Sequence, residues 1–189
     1  GQLIDTQTSY ALPLAFHVVD GDLQKKMAAH LAAAIKTPMA GYPAYSLLTG
    51  FIGTAWISKA LSDNGMSEEA YRLLQYEGYP SWLYPVKNGA TTIWERLNSY
   101  TVKDGFGENN SMNSFNHYSF GAVASWMYNY SLGICRDEKS PGFKHFILKP
   151  EVDPTRGITH AEGYYDSMYG RIRSRWQYTD SGIRYEFTV

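Results

Sequence analysis

From Asp5 to Val19 the apolar residues Tyr10, Ala11, Leu12, Leu14, Ala15, Phe16, Val18 and Val19 lie nearly all round a helical projection, with Pro13 inside it. That pattern predicts a buried helix, kinked or started near Pro13. Asp20-Gly21-Asp22 then offers a turn and an N-cap, and Leu23, Met27, Leu31 and Ile35 recur every fourth residue with Lys25 and Lys26 between them. This is an amphipathic helix running antiparallel to the first. Gly41 to Leu48, with Pro43 and two tyrosines, reads as a loop. A third helix is predicted from Phe51 to Leu61 on Ile52, Ala55, Trp56 and Leu61, ending where Gly65 takes a left-handed cap. Ser67, followed by Glu68 and Glu69, caps a fourth through Ala70, Leu73 and Leu74. Helical hairpins in succession suggest an α/α toroid or a helical bundle rather than an α/β fold.

Pro80 and Pro85 break the helical period, and the stretch from Gly89 to Ser99 that follows has none. Gly105 to Asn116 reads as a polar loop able to close over a ligand. His117 begins another predicted helix with Phe120, Val123, Ala124, Met127 and Leu132 as its buried stripe and Gly133 as its stop. After Cys135 the period changes to two. Phe143 to Leu148 is a short apolar run, and Ile172, Ser174, Trp176 and Tyr178 alternate with Arg171, Arg173, Arg175 and Gln177. Ile183, Tyr185, Phe187 and Val189 alternate likewise after a turn at Thr179 to Gly182, which predicts a hairpin with one wet and one dry face. The arginine row reads as a solvated sheet face rather than an anion site. The expected organisation is α+β and multidomain, with helical hairpins over residues 1–135 and an antiparallel β module over 136–189.

Charge narrows the classes of partner. Lys+Arg number 17 against 18 Asp+Glu, for a net charge of -1, which leaves no electrostatic footprint for nucleic acid or an anionic membrane. No run approaches the roughly 18 apolar residues of a spanning helix. The N-terminus lacks the basic-then-apolar layout of a signal peptide, and the chain opens Gly1-Gln2-Leu3, so it is expected to start inside a longer protein. Cys135 is the single cysteine and forms no intrachain disulfide. The histidines at 17, 30, 117, 145 and 160 are scattered, so no metal and no other cofactor is expected. Aromatic residues reach 15%, many beside Gly, Pro, Ser and Asn; this suits either a carbohydrate surface or a Tyr-rich core.

The candidate chemistry centres on Glu95, which stands between Trp94 and Arg96 after a run of small and hydroxylated residues. Beside aromatic surface a carboxylate is partly desolvated and serves as a base near neutral pH. Flat aromatic faces also suit the C–H faces of pyranose rings. The competing local reading is a helix-edge glutamate paired with a neighbouring arginine.

Seven stretches, in order, are similar to motifs of one family. They are Asp5-Thr6-Gln7-Thr8, Leu48-Thr49-Gly50-Phe51-Ile52-Gly53-Thr54, Leu61-Ser62-Asp63-Asn64-Gly65, Tyr79-Pro80-Ser81-Trp82-Leu83-Tyr84, Gly89-Ala90-Thr91-Thr92-Ile93-Trp94-Glu95-Arg96, Asn116-His117-Tyr118 and Pro141-Gly142-Phe143. Together they resemble the C-terminal part of bacterial α-L-rhamnosidases; Ser167-Met168-Tyr169-Gly170 and the final hairpin match more loosely. The resemblance implies part of an (α/α)6 barrel followed by a small antiparallel β-sandwich, acting with inversion on terminal α-L-rhamnosyl groups of an oligosaccharide or glycoside. It also implies that Glu95 is the general base, that His117 lines the sugar pocket with Trp82 and Trp94 as walls, and that Asn116 hydrogen-bonds a hydroxyl. On local residues alone a capping or core histidine is the reading of His117, a core role for either tryptophan competes closely with the wall, and Asn116 either bonds a hydroxyl or caps the helix.

One departure matters. An inverting glycosidase needs a second, protonated carboxyl roughly 6.5–9.5 Å from the base, and the acidic, Arg- and Trp-containing motif that supplies it in the family is missing here. The chain also holds about half of the twelve helices of a six-hairpin barrel. The expectation is a fragment that hydrolyses rhamnosides poorly by itself and self-associates through uncovered helix faces. Should it prove active alone, the acid has to be found among Asp63, Asp104 and Glu108. Two other classes stay open: a non-catalytic carbohydrate-binding module, and another (α/α)6 glycosidase or polysaccharide lyase.

Overall fold

Thr6 accepts the Ser9 N–H through its hydroxyl while the Ser9 hydroxyl accepts the Thr6 N–H, a reciprocal cap that starts α1 (Gln7–Ala15). The computed structural model describes residues 4–107 and 111–189, in two compact units divided after Val123.

In the first unit α1 stops earlier than its apolar pattern predicts. The Val18 N–H reaches the Pro13 carbonyl and the His17 N–H that of Leu14, with His17 left-handed at φ 54°. This is a Schellman ending with histidine where glycine is usual, and it turns Phe16 and Val18 out to solvent. α2 (Gly21–Lys36) follows as expected, with Leu31 and Ile35 fully buried and Leu23 exposed. The predicted third helix is two pieces, α3 (Gly50–Thr54) and α4 (Ile57–Asp63). The break at Ala55-Trp56 lets the Trp56 ring pack on Phe16, with centroids 4.6 Å apart. Gly53 has to be glycine, since a Cβ there would lie 2.3 Å from the Thr8 hydroxyl oxygen. That hydroxyl donates to the Thr49 carbonyl, so α3 is drawn tight against α1. α5 (Ser67–Gln75) has Met66 rather than Ser67 at its N-cap position, with no side-chain cap bond, and its buried Glu69 pairs with Lys36 of α2. α6 (Leu83–Lys87) is a short helix that the prolines did not prevent, because Pro85 falls in the first turn, where its missing N–H costs nothing.

The helix predicted from His117 begins two residues later and changes pitch along its length. A 3₁₀ turn (Ser119–Ala122) leads into α7 (Val123–Trp126) and a π-helical turn (Met127–Ser131) closed by the Leu132 N–H on the Met127 carbonyl. Because each pitch steps by a different angle, Phe120 and Leu132 are buried as expected, whereas Ala124 and Met127 are exposed and Trp126 is inside.

The second unit contains β1 (Ile134–Arg136) paired antiparallel with β2 (Phe146–Leu148), and β3 (His160–Ser167), β4 (Gly170–Thr179) and β5 (Gly182–Thr188) in that spatial order. The predicted hairpin is β4–β5 with its turn at Thr179 to Gly182. Its dry face is complete on β4, where Ile172, Ser174 and Trp176 are buried, but on β5 Ile183, Tyr185 and Phe187 remain 39%, 45% and 43% exposed. Trp176 Nε1 donates to the Ser131 carbonyl and the Ser174 hydroxyl to that of Leu132, at 2.8 and 2.6 Å. Leu132, Ile134 and Ile172 form the core here, with Phe143, Phe146 and Leu148 packed on it. A helical-hairpin unit followed by a small antiparallel sheet module is the α+β architecture expected.

Candidate active site

The segment 89–99 lies outside every helix and strand, and its shape comes from its pairing with residues 114–117. The Glu95 N–H donates to the Ser114 carbonyl at 2.8 Å, the His117 N–H to the Ile93 carbonyl at 2.9 Å, and the Thr92 hydroxyl to the Phe115 carbonyl at 2.5 Å. Trp94, 6% exposed, anchors the segment from behind. Its ring meets Phe115 and Tyr100 edge-on at 5.2 and 6.4 Å, and Phe106 closes the cluster against both. With Trp94 fixed inward, its neighbour Glu95 faces outward into a cavity of about 610 Å³.

Asp5, Gln7, Tyr42, Phe51 and Tyr79 line that cavity with Glu95. Gln7 is fully buried and holds the loop after α2 in place: its Nε2 donates to the Ser46 carbonyl at 2.9 Å, and its Oε1 accepts the Leu48 N–H at 2.8 Å. Asp5 accepts the Tyr10 hydroxyl at 2.9 Å, and this bond to a carboxylate holds the Tyr10 phenol above its usual pKa. Burial raises the Tyr79 phenol too, with Tyr42 and Tyr84 adding to it. The Glu95 carboxylate is fixed through Oε2, which accepts the Ser114 N–H at 2.8 Å.

The other sequence candidates are placed differently. His117 stacks on Phe51, with centroids 4.7 Å apart and planes 26° apart, so it stands behind a cavity wall rather than in the lining. Its Nδ1 accepts the Ser119 N–H at 3.4 Å, which puts the ring proton on Nε2. Trp82 is in the core instead of the wall, and its Nε1 donates to the Phe120 carbonyl at 2.8 Å. Trp94 is likewise committed to core packing, edge-on against Phe115 and Tyr100. Asn116 is exposed and away from the lining; its N–H donates to the Ser114 hydroxyl at 3.2 Å, and it caps no helix, since Tyr118 precedes the 3₁₀ turn. Asp63 pairs with Lys59, and Asp104 closes a turn with Thr101; neither lines the cavity. Glu108, and with it part of the Gly105 to Asn116 loop, lies outside the described residues. Asp5 was missed as a cavity carboxylate although it opens the first family-like motif. Among the described residues no group of three or more His, Cys, Asp or Glu side chains stands ready for a metal ion, and no helix is long and apolar enough to cross a membrane.

Family models match the chain from end to end. The bacterial alpha-L-rhamnosidase six-hairpin glycosidase domain covers residues 2–131, and the bacterial alpha-L-rhamnosidase C-terminal domain covers 133–189. The chain belongs to the bacterial α-L-rhamnosidase family. It is 37% identical over 179 residues to an alpha-L-rhamnosidase of Streptomyces avermitilis, covering 95% of this chain and 16% of that protein. An alpha-L-rhamnosidase of Alteromonas sp. strain LOR is 37% identical over 185 residues, 98% of this chain and 19% of the relative. The crystal structure of the Streptomyces avermitilis alpha-L-rhamnosidase complexed with L-rhamnose superposes with TM-score 0.87 at 36% identity, over 98% of this chain and 17% of that one. The native α-L-rhamnosidase of Aspergillus terreus gives 0.82 at 30%, over 97% and 20%. The chain thus spans less than a fifth of the length of the curated relatives named above.

Proposed function

We propose that this stretch supplies the general base of an inverting α-L-rhamnosidase and that Glu95 is that base. The observation carrying the reading is the Glu95 carboxylate, turned into the cavity and held by one oxygen, in a chain of this family. Glu95 takes a proton from a water whose oxygen attacks the anomeric carbon on the face opposite the glycosidic oxygen. The bond from that carbon to the leaving oxygen breaks, and a protonated carboxyl from another part of the full-length enzyme gives the leaving oxygen its proton. Asp5 binds a sugar hydroxyl, and His117 backs the cavity wall through its stack on Phe51. Trp82 and Trp94 support the wall from behind, and Asn116 stays outside the lining, fixing the turn at Ser114 through its N–H. The substrate is a terminal α-L-rhamnosyl group of a glycoside or oligosaccharide; no cofactor takes part. Expressed alone, the stretch turns over poorly and self-associates, for which exposed Phe16, Leu23 and Ile52 give the apolar surface.

Hydrolysis of nitrophenyl and methyl α-L-rhamnosides is to be compared between this chain and one extended to the relatives' full length. The extended protein is expected to cleave the methyl glycoside and release β-L-rhamnose, seen by proton NMR within the first turnovers. Glu95→Gln should lower kcat by about 10²–10⁴. Retention of configuration, or a Glu95→Gln enzyme at full speed, defeats the reading.

A further inference from the structure

We propose that the main-chain N–H of Ser114 is the positioning group for Glu95, holding Oε2 so that Oε1 alone addresses the attacking water; this rests on Glu95 being the base. Two bonds of equal length close a ring between the residues. The Glu95 N–H donates to the Ser114 carbonyl and the Ser114 N–H returns to Glu95 Oε2, each at 2.8 Å. The side chain therefore folds back onto the residue that its own backbone already grips, and its torsions cannot change without breaking a charge-assisted bond.

The donor is itself held in place. Thr92 on the Phe115 carbonyl and the His117 N–H on the Ile93 carbonyl fix the strand of chain on its far side, and the Asn116 N–H on the Ser114 hydroxyl fixes the turn. The serine side chain makes no bond to the carboxylate. What matters at position 114 is the peptide N–H, which every residue but proline supplies. A carboxylate released from this ring keeps its chemistry and loses its aim, and a displacement of about 1 Å costs on the order of 10²-fold in rate.

The test uses the full-length enzyme and two measurements. Ser114→Pro removes the donor and is expected to lower kcat by about ten- to a hundredfold while KM stays within about twofold. Ser114→Ala keeps the donor and loses only the Asn116 bond, so its loss in kcat should stay within about threefold. Residue-resolved hydrogen exchange reads the ring directly and does not depend on the proline variant folding. Exchange of the Ser114 amide should be at least about tenfold faster in Glu95→Ala than in Glu95→Gln, where an acceptor oxygen survives. Equal exchange in those two variants, or Ser114→Ala as damaging as Ser114→Pro, overturns the proposal. Full turnover by Glu95→Gln removes the base reading instead, and the exchange of Ser114 still reports whether the ring exists.

Discussion

On the outer face of the three-stranded sheet Arg171 meets Asp166, Arg173 meets Glu162, and Arg175 lies between Glu162 and Glu186. These charges neutralise one another across a ladder whose central strand is paired on both sides from Arg173 to Gln177. Glu95 stands on a segment with no regular structure, held by a handful of bonds to residues 114–117 and by the aromatic cluster behind Trp94. A charge in a ladder has partners wherever it turns, and so has no unspent reactivity. A charge on an irregular segment can be given one partner and one open side. Loops carry chemistry for this reason when something rigid supports them, and here the support is buried aromatic surface.

The contrast is broken most severely by removing the anchor of the sheet. Trp176→Ala should cost about 3–5 kcal/mol of local stability, read as faster hydrogen exchange across β3 to β5, while the Ser114 amide is unaffected. Gln7→Leu leaves the Ser46 carbonyl and the Leu48 N–H without their partner, at about 1–3 kcal/mol. It should loosen the loop after α2 and raise KM more than it lowers kcat. The smallest effect is acid sensitivity of the sheet. Hydrogen bonding to Arg173 and Arg171 holds the Glu162 and Asp166 carboxyls below the ordinary carboxylate range. Their stabilisation is present above the unfolded value near pH 4 and is lost as pH falls through the lower folded values. Exchange in β3 and β4, corrected for its intrinsic pH dependence, should accelerate below about pH 4, and the Arg171→Ala, Arg173→Ala double variant should lack that acceleration.

The parts of the fold legible in the sequence are those where apolar and polar positions keep one period along the whole element. α2 and the β4–β5 hairpin show this, their periods of 3.6 and 2 surviving intact. The end of α1 was hidden because His17 does the work of a glycine. β3 was hidden because Gly163 and the adjacent Tyr164 and Tyr165 spoil its alternation; a Cβ at Gly163 would lie 2.4 Å from Leu132 Cδ1 and push that side chain aside. At the site, residue type and motif single out Glu95. The choice between wall and core for Trp82 and Trp94 stayed open in the sequence, since an indole looks the same at a wall or behind one. Ser114 leaves no trace, because its contribution is a peptide N–H.

Gln7 has a further meaning for how this cavity is encoded. Its amide offers one donor and one acceptor to the loop, as a peptide group in a neighbouring strand would, from a position 39 residues before Ser46 and 41 before Leu48. Part of the loop's conformation is thus written outside the loop. Gln7 reads the peptide groups of Ser46 and Leu48 and not their side chains. Grafting that loop into another helical hairpin should fail unless the glutamine is grafted with it.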